Sequence, residues 1–235
     1  MQDFGSAFGH AFALIGALDP ELFSIIALSL QVTLCAVAIS CIIGFPLGAF
    51  LAIGRFPGRQ IAIVFVNALM GLPPVVVGLM IYLLLSRAGP LGVLELLYTP
   101  TAMVIAQTVL VTPIVAALCT QVVSDLHEEY DELLRSMGAS LPATLSTLLW
   151  DARYSLLTAA IAGFGRALAE VGAVMIVGGN IDHVTRVMTT AIALETAKGE
   201  LALALGLGCI LICLSIIVSA SLMGLRRTAE RLAYA

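Results

Sequence analysis

Residues 124–155 read SDLHEEYDELLRSMGASLPATLSTLLWDARYS, and residues 156–179 continue as LLTAAIAGFGRALAEVGAVMIVGG. The first segment is the most polar in the chain. The second is apolar for the length of a membrane span and carries one arginine, Arg166, and one glutamate, Glu170. A helix needs about 20 apolar residues to cross a bilayer. A long polar loop between such helices sets the fold class: an all-α, polytopic membrane protein with one sizeable excursion into water, at about residues 125–154.

Composition supports the same class. Of 235 residues, 60% are hydrophobic and 11% charged, and the mean hydropathy is +1.08. A soluble domain carries about 45–50% apolar and about 25% charged residues. The net charge of -4 leaves no basic stripe to neutralise phosphates, which argues against nucleic acid as a partner. Cys35, Cys41, Cys119, Cys209 and Cys213 all sit in apolar runs without the spacing of zinc or redox sites, and are expected to be small buried hydrophobes.

Five stretches are long enough to span: about Ile25–Ile53, Ile61–Ser86, Thr101–Val123, Ser155–Gly178 and Leu201–Leu225. Residues 1–21 are interrupted by glycine and histidine and end at Asp19-Pro20-Glu21, which suits a short interfacial helix ahead of a transmembrane domain at 22–235. With no basic start to the chain, the first span is expected to act as the insertion signal. A sixth span in residues 1–21 would move the N-terminus to the cytoplasm.

Basic residues set the orientation, because cytoplasmic loops are enriched in Lys and Arg. With the N-terminus outside, Arg55, Arg59, Arg135, Arg153, Arg226, Arg227 and Arg231 face the cytoplasm, and Arg87, Arg186 and Lys198 face outward. The long loop and the C-terminus are thereby cytoplasmic.

Prolines interrupt three spans, at Pro46, at Pro73-Pro74 and at Pro113. Each removes a backbone donor, and in lipid the freed carbonyl needs a protein or water partner. Pro73 and Pro74 are therefore candidates for the lining of a translocation path, against the plainer reading that membrane helices tolerate proline. Gly44 and Gly48 form a GxxxG, a signal for close helix approach. Of the outer segments, 86–100 suits an interfacial loop, and Val187–Thr196 has helical character and lies at the outer surface or dips inward.

Several chemistries lack their residues. The one lysine, Lys198, stands in Ala-Lys-Gly-Glu, so no GxxxxGK[ST] phosphate loop exists. His127-Glu128 begins an HExxH, but position 131 is aspartate. No G-x-S-x-G elbow appears. The chain reads as neither an ATPase of that type nor a metal enzyme. An intramembrane enzyme or a membrane assembly factor remains the reading from another class.

Within the loop, the acidic run from Glu128 to Glu132 leads a short helix whose Leu133, Leu134 and Met137 are expected to share one apolar face. Gly138 ends it. A second helix follows, with Ser140 as cap and Pro142 in its first turn. Two short helices across the membrane surface with an apolar face suit a groove on a partner, against the alternative of a loop packed on its own spans.

The run from Glu132 through Gly138, Ala139 and Ser140, with Leu148 at the later aliphatic position, resembles the EAA loop of ABC importer permeases. Leu133 and Leu134 stand where that pattern has alanines, and Trp150-Asp151 stands where it ends in Leu-Pro. GFGRALAEVGAVMIVGGNI (163–181) is similar to the corresponding segment of molybdate- and tungstate-type permeases, and TRVMTTAIALETAKGE (185–200) is closest to the tungstate type. The resemblance implies a type I importer architecture: a homodimeric pore in the inner membrane, surrounded by lipid. It also implies a cytoplasmic ATPase dimer carrying the ATP and magnesium, docked on a coupling loop of Glu132, Leu133, Leu134, Gly138, Ala139, Ser140 and Leu148. An extracytoplasmic binding protein would deliver the oxyanion: tungstate first, with molybdate or sulfate as alternatives. No cofactor or metal is expected on this chain.

Arg166 lies about eleven residues into the fourth span, near mid-bilayer at about 1.5 Å per residue. A central arginine costs about 2.5–3.5 kcal/mol on insertion scales and must face protein or water. Glu170 follows one helical turn later. Either the two neutralise each other or a neighbouring helix, or Arg166 lines the path and attracts the anion. Gly178-Gly179-Asn180 ends the span, as an anion-binding backbone concavity or as a simple helix stop.

Overall fold

The computed structural model describes residues 20–233, with side chains for 22–224. The expected interfacial helix in residues 1–21 lies almost wholly outside the described residues. Nine α-helices and one 3-10 turn make up the described residues: α1 (Pro20–Ile53), α2 (Arg59–Leu69), α3 (Pro74–Leu85), the turn Gly92–Leu94, α4 (Pro100–Ser136), α5 (Leu141–Asp151), α6 (Arg153–Leu168), α7 (Gly172–Gly178), α8 (Met188–Lys198) and α9 (Leu201–Ala233). Helices keep their backbone hydrogen bonds internal, as hydrocarbon requires.

Three helices are long and apolar enough to cross a membrane alone, and the count reaches five when α2 with α3 and α6 with α7 are each taken as one broken span. These five are the stretches expected from the sequence. Large apolar side chains such as Phe23, Ile42, Ile61 and Ile216 are exposed, an arrangement that suits a hydrocarbon surrounding. Among the cysteines only Cys119 is buried, while Cys35 and Cys213 are exposed. The expectation of five buried cysteines is corrected: apolar sequence in a membrane helix does not separate lipid-facing from core positions.

The contacts divide the chain into two compact units. One holds residues up to Ala36, Pro73–Gln107 and Ala167–Ser219; the other holds Val37–Leu72, Thr108–Arg166 and the chain from Ala220. In the first, α3 lies directly on α7, and a Cβ at Gly78 would come 2.7 Å from the Cα of Ala173. The amide of Tyr98 donates to Val177 O at 2.9 Å. α8 dips inward, burying Met188, Thr189, Thr190 and Ala191. Its Met188 amide donates to Ser29 Oγ at 2.8 Å.

In the second unit, the GxxxG of α1 packs on α4. A Cβ at Gly44 would lie 2.9 Å from Val115 Cγ1, and one at Gly48 would collide with the carbonyl of Ala116. The Thr120 hydroxyl sits between the carbonyls of Gly48 (3.1 Å) and Ala116 (2.8 Å). Small residues permit this approach, which dispersion then rewards. Pro46 and Pro113 both remain inside unbroken helices. Pro73-Pro74, by contrast, separates α2 from α3, with Pro74 as the first residue of α3. There a lost donor costs nothing.

Candidate functional site

The long loop is built differently from the expected pair of short helices. α4 continues from its apolar part through Asp125 to Ser136 without interruption. Glu, Leu and Arg are good helix formers, so the change from apolar to charged residues alters the surroundings and not the conformation. The charged end is braced at helical spacing: Asp131 pairs with Arg135 at 2.8 Å and lies 3.6 Å from His127 Nε2.

Gly138 stops the helix with φ +64. The amide of Ala139 donates to Leu134 O and that of Gly138 to Arg135 O, both at 3.0 Å. This pair of bonds is the Schellman arrangement, which satisfies the last carbonyls and brings Ala139 beside Leu134. Ser140 occupies the cap position of α5, but its hydroxyl makes no capping bond.

Leu133, Leu134 and Met137 do not share a face as expected. Leu134 (7% exposed) and Leu148 (0%) enter a core with Ala49, Ile53, Cys119, Val123 and Leu156. Leu133 (57%), Met137 (65%) and Trp150 (69%) remain exposed. Consecutive helical residues are about 100° apart, so 133 and 137 align while 134 turns inward. The loop is thus anchored by one set of leucines and presents another apolar set outward, with Glu132, Gly138 and Ser140 also exposed. Trp150, which sequence reasoning noted only as a departure from the EAA pattern, is its most exposed apolar member. Arg153 stacks on Trp150 and Tyr154 at 4.8 and 4.4 Å and donates to Trp150 O at 2.6 Å. This places a cation at the C-terminal end of α5.

The expected helical turn from Arg166 to Glu170 is absent, because α6 ends at Leu168. Arg166 occupies the last turn of α6, where its charge complements the helix dipole. Glu170, 3% exposed, lies in the break. Its Oε1 accepts from the amide of Ala173 at 3.0 Å, and its carbonyl accepts from Thr189 Oγ1 at 2.9 Å. Neither residue is without a partner.

Nearby in the first unit, Gln107 Nε2 donates to Ala167 O at 3.0 Å. Gln107, Ser29 and Thr33 border a cavity of about 10 Å³, the size of one water. At the turn Gly178-Gly179-Asn180, Gly179 N–H donates to Met175 O at 3.0 Å, and the following Ile181 N–H donates to Thr185 Oγ1 at 2.9 Å. Gly179 is left-handed at φ +71, and the Tyr98 ring covers it. Gly179 is the C-cap of α7. A hydrogen bond with Tyr82 raises the Tyr98 hydroxyl above its ordinary pKa.

Sequence reasoning missed one polar surface altogether. Gln60 and Asn67 of α2 and Gln121 of α4 are exposed on otherwise apolar spans, and with Arg59 they border a cavity of about 380 Å³. The signal was available as isolated amides within apolar runs, but they lie about 60 residues apart in sequence.

Residues 44–229 match the family described as binding-protein-dependent transport system inner membrane component. The chain is 37% identical over 226 residues to a tungstate uptake system permease protein of Peptoclostridium acidaminophilum, covering 96% of this chain and 99% of that one. It is 39% identical over 204 residues to a probable anion ABC transporter permease protein of Haloferax volcanii, covering 85% and 88%. Its fold matches the crystal structure of an amino acid ABC transporter with histidines at TM-score 0.59, with 14% identity and 94% and 97% of the two chains covered. An all-helical chain of broken and unbroken spans, with a two-faced polar loop, therefore belongs to the inner membrane component family of binding-protein-dependent transport systems, as a multi-pass transport subunit.

Proposed function

We propose that this chain is the membrane permease of an ATP-driven importer for a tetrahedral oxyanion, with tungstate the leading substrate. The observation that carries the reading is the two-faced loop. Leu134 and Leu148 tie it to its own spans, while Leu133, Met137 and Trp150 stay exposed on a segment too charged to lie in hydrocarbon. An apolar patch beside water fits a groove on a partner protein. That partner is a cytoplasmic ATPase, which supplies ATP and magnesium; Glu132, Gly138, Ala139 and Ser140 form the docking turn.

Two copies of the chain form the pore, within lipid, and an extracytoplasmic binding protein delivers the ion. Relatives named for tungstate and for an anion support the substrate class. Molybdate and sulfate are the runners-up, since both present the same tetrahedral dianion. The excess of arginine on the loop side supports an outside N-terminus and a cytoplasmic C-terminus.

Proteoliposomes holding the chain, its ATPase and its binding protein test this, with ATP enclosed on the ATPase side. Labelled tungstate should accumulate only with ATP, and excess molybdate should compete better than sulfate. Failure to accumulate any of the three ions with ATP would exclude oxyanion import.

A further inference from the structure

At the loop end of the second unit, Arg59 borders two adjoining cavities. The first, about 380 Å³, is bordered also by Gln60, Asn67, Gln121 and Ser124. The second, about 320 Å³, shares Arg59 and Ser124 and adds Arg55, His127 and Glu128. At about 30 Å³ per water, the first has room for a small ion together with several waters.

Arg59 is fixed for binding. Its Nε donates to Leu51 O at 2.7 Å and its Nη2 to Ala52 O at 2.6 Å, which ties the guanidinium to the C-terminal end of α1. Both acceptors are neutral. A guanidinium has five N–H donors, so three have no acceptor among the described residues, and no carboxylate there pairs with Arg59. The first cavity has no carboxylate in its lining. The Thr120 hydroxyl also borders it, but its proton is committed to Gly48 and Ala116.

The amide groups of Gln60, Asn67 and Gln121 remain as adaptable donors, and none has a side-chain hydrogen bond within the described residues. Exposed amides on membrane helices are costly against hydrocarbon and are suited to an aqueous path. In the adjoining cavity, buried His127 Nδ1 also lacks a partner among the described residues and donates when it carries the proton.

One fixed cation and several neutral donors suit a doubly charged, acceptor-only ligand. Glu128 borders the adjoining cavity together with Arg59, and a carboxylate near the site would weaken its hold on such an ion. A transport site must be favourable enough to enter and weak enough to leave. We propose that the Arg59 cavity is a release-side binding site for a tetrahedral oxyanion, contacted by Arg59, Gln60, Asn67 and Gln121. A free transported ion and the phosphate of a lipid headgroup both present acceptor oxygens on a tetrahedral centre, the lipid with a single charge, and the test separates them. The proposal rests on the oxyanion-import reading.

The test uses the complex of chain and ATPase, without binding protein or nucleotide, in detergent free of phospholipid. Equilibrium binding of labelled tungstate is measured for wild type, Gln121→Glu, Asn67→Asp and Arg59→Lys, with phosphatidylglycerol then added. Gln121→Glu places a carboxylate in the cavity without touching the α1 contacts of Arg59. Saturable tungstate binding should weaken at least tenfold in Gln121→Glu and Asn67→Asp, with Arg59→Lys intermediate. Added phosphatidylglycerol that binds wild type but not Gln121→Glu, without tungstate binding to wild type, would assign the cavity to a lipid phosphate and overturn the release-site proposal. Equal binding of both ligands by wild type and Gln121→Glu would overturn it. If wild-type proteoliposomes import tungstate while binding ignores these substitutions, this site fails and the import reading stands. If they import no oxyanion, the import reading itself fails.

Discussion

The amide of Ala139 donates to the carbonyl of Leu134 at 3.0 Å, across the left-handed Gly138. This bond closes α4 and fixes where the loop turns. A Cβ at Gly138 would meet nothing within 4 Å, so the chain itself has space for a side chain there. The backbone conformation alone penalises Gly138→Ala, by about 1–2 kcal/mol. Gly138→Ala should retain most ATPase association, whereas Gly138→Trp should lose association or uncouple uptake. Equal uptake by both variants would show that no partner packs against the turn.

The inward and outward leucines should separate stability from docking. Leu148→Ala removes a fully buried side chain and should cost about 2–5 kcal/mol, read as a lower melting temperature of the purified chain. Met137→Asp alters an exposed side chain, so stability should change by no more than about 0.5 kcal/mol. Its ATPase association should fall at least tenfold in a pull-down. A destabilised Met137→Asp that keeps its ATPase would reverse the assignment of faces.

Close packing of α1 on α4 makes Gly48 intolerant of even one methyl group. Gly48→Ala should lower folded yield and melting temperature, because the new Cβ meets the Ala116 carbonyl and lies 2.7 Å from Cys119 Cβ. Gly165→Ala adds the same methyl to α6, where nothing lies within 4 Å, and should leave both unchanged. Equal effects would remove the steric explanation.

Glu170 and Arg166 answer to different assays. The carboxylate of Glu170 caps Ala173, so Glu170→Gln, which keeps an acceptor, should assemble better than Glu170→Ala. Melting curves of the two variants make the comparison. Arg166→Ala should reduce oxyanion uptake more than complex yield; normal uptake at normal yield would leave Arg166 with no role in the path.

Much of this was legible in the sequence because hydropathy reports lipid directly. The five spans, the polar loop, the stop at Gly138 and the close approach at Gly44 and Gly48 each follow from residue type at one place in the chain. Other features depend on geometry that composition does not record. The helix through Asp125–Ser136 stays continuous because helix propensity is indifferent to the switch from apolar to charged residues. The break at Ala169–Val171 has no proline to announce it; what marks it is the Glu170 carboxylate turning to cap Ala173. Leu133 and Leu134 are chemically identical neighbours, and only the packing of α4 on α1 and α5 decides which is buried. The Arg59 cavity gathers residues 59, 67 and 121, whose proximity no local pattern could reveal.

Docking of an ATPase on the 125–154 loop underlies the import reading. The most direct measurement is a pull-down from membranes in mild detergent with tagged wild-type chain and Glu132→Arg, scored for a copurifying ATPase. Glu132 is exposed at the docking turn and outside the core, so its reversal should leave the folded chain intact. An ATPase is expected with wild type, and its loss with Glu132→Arg at equal chain yield. An ATPase absent from wild type, or retained equally by the variant, would contradict docking at this turn.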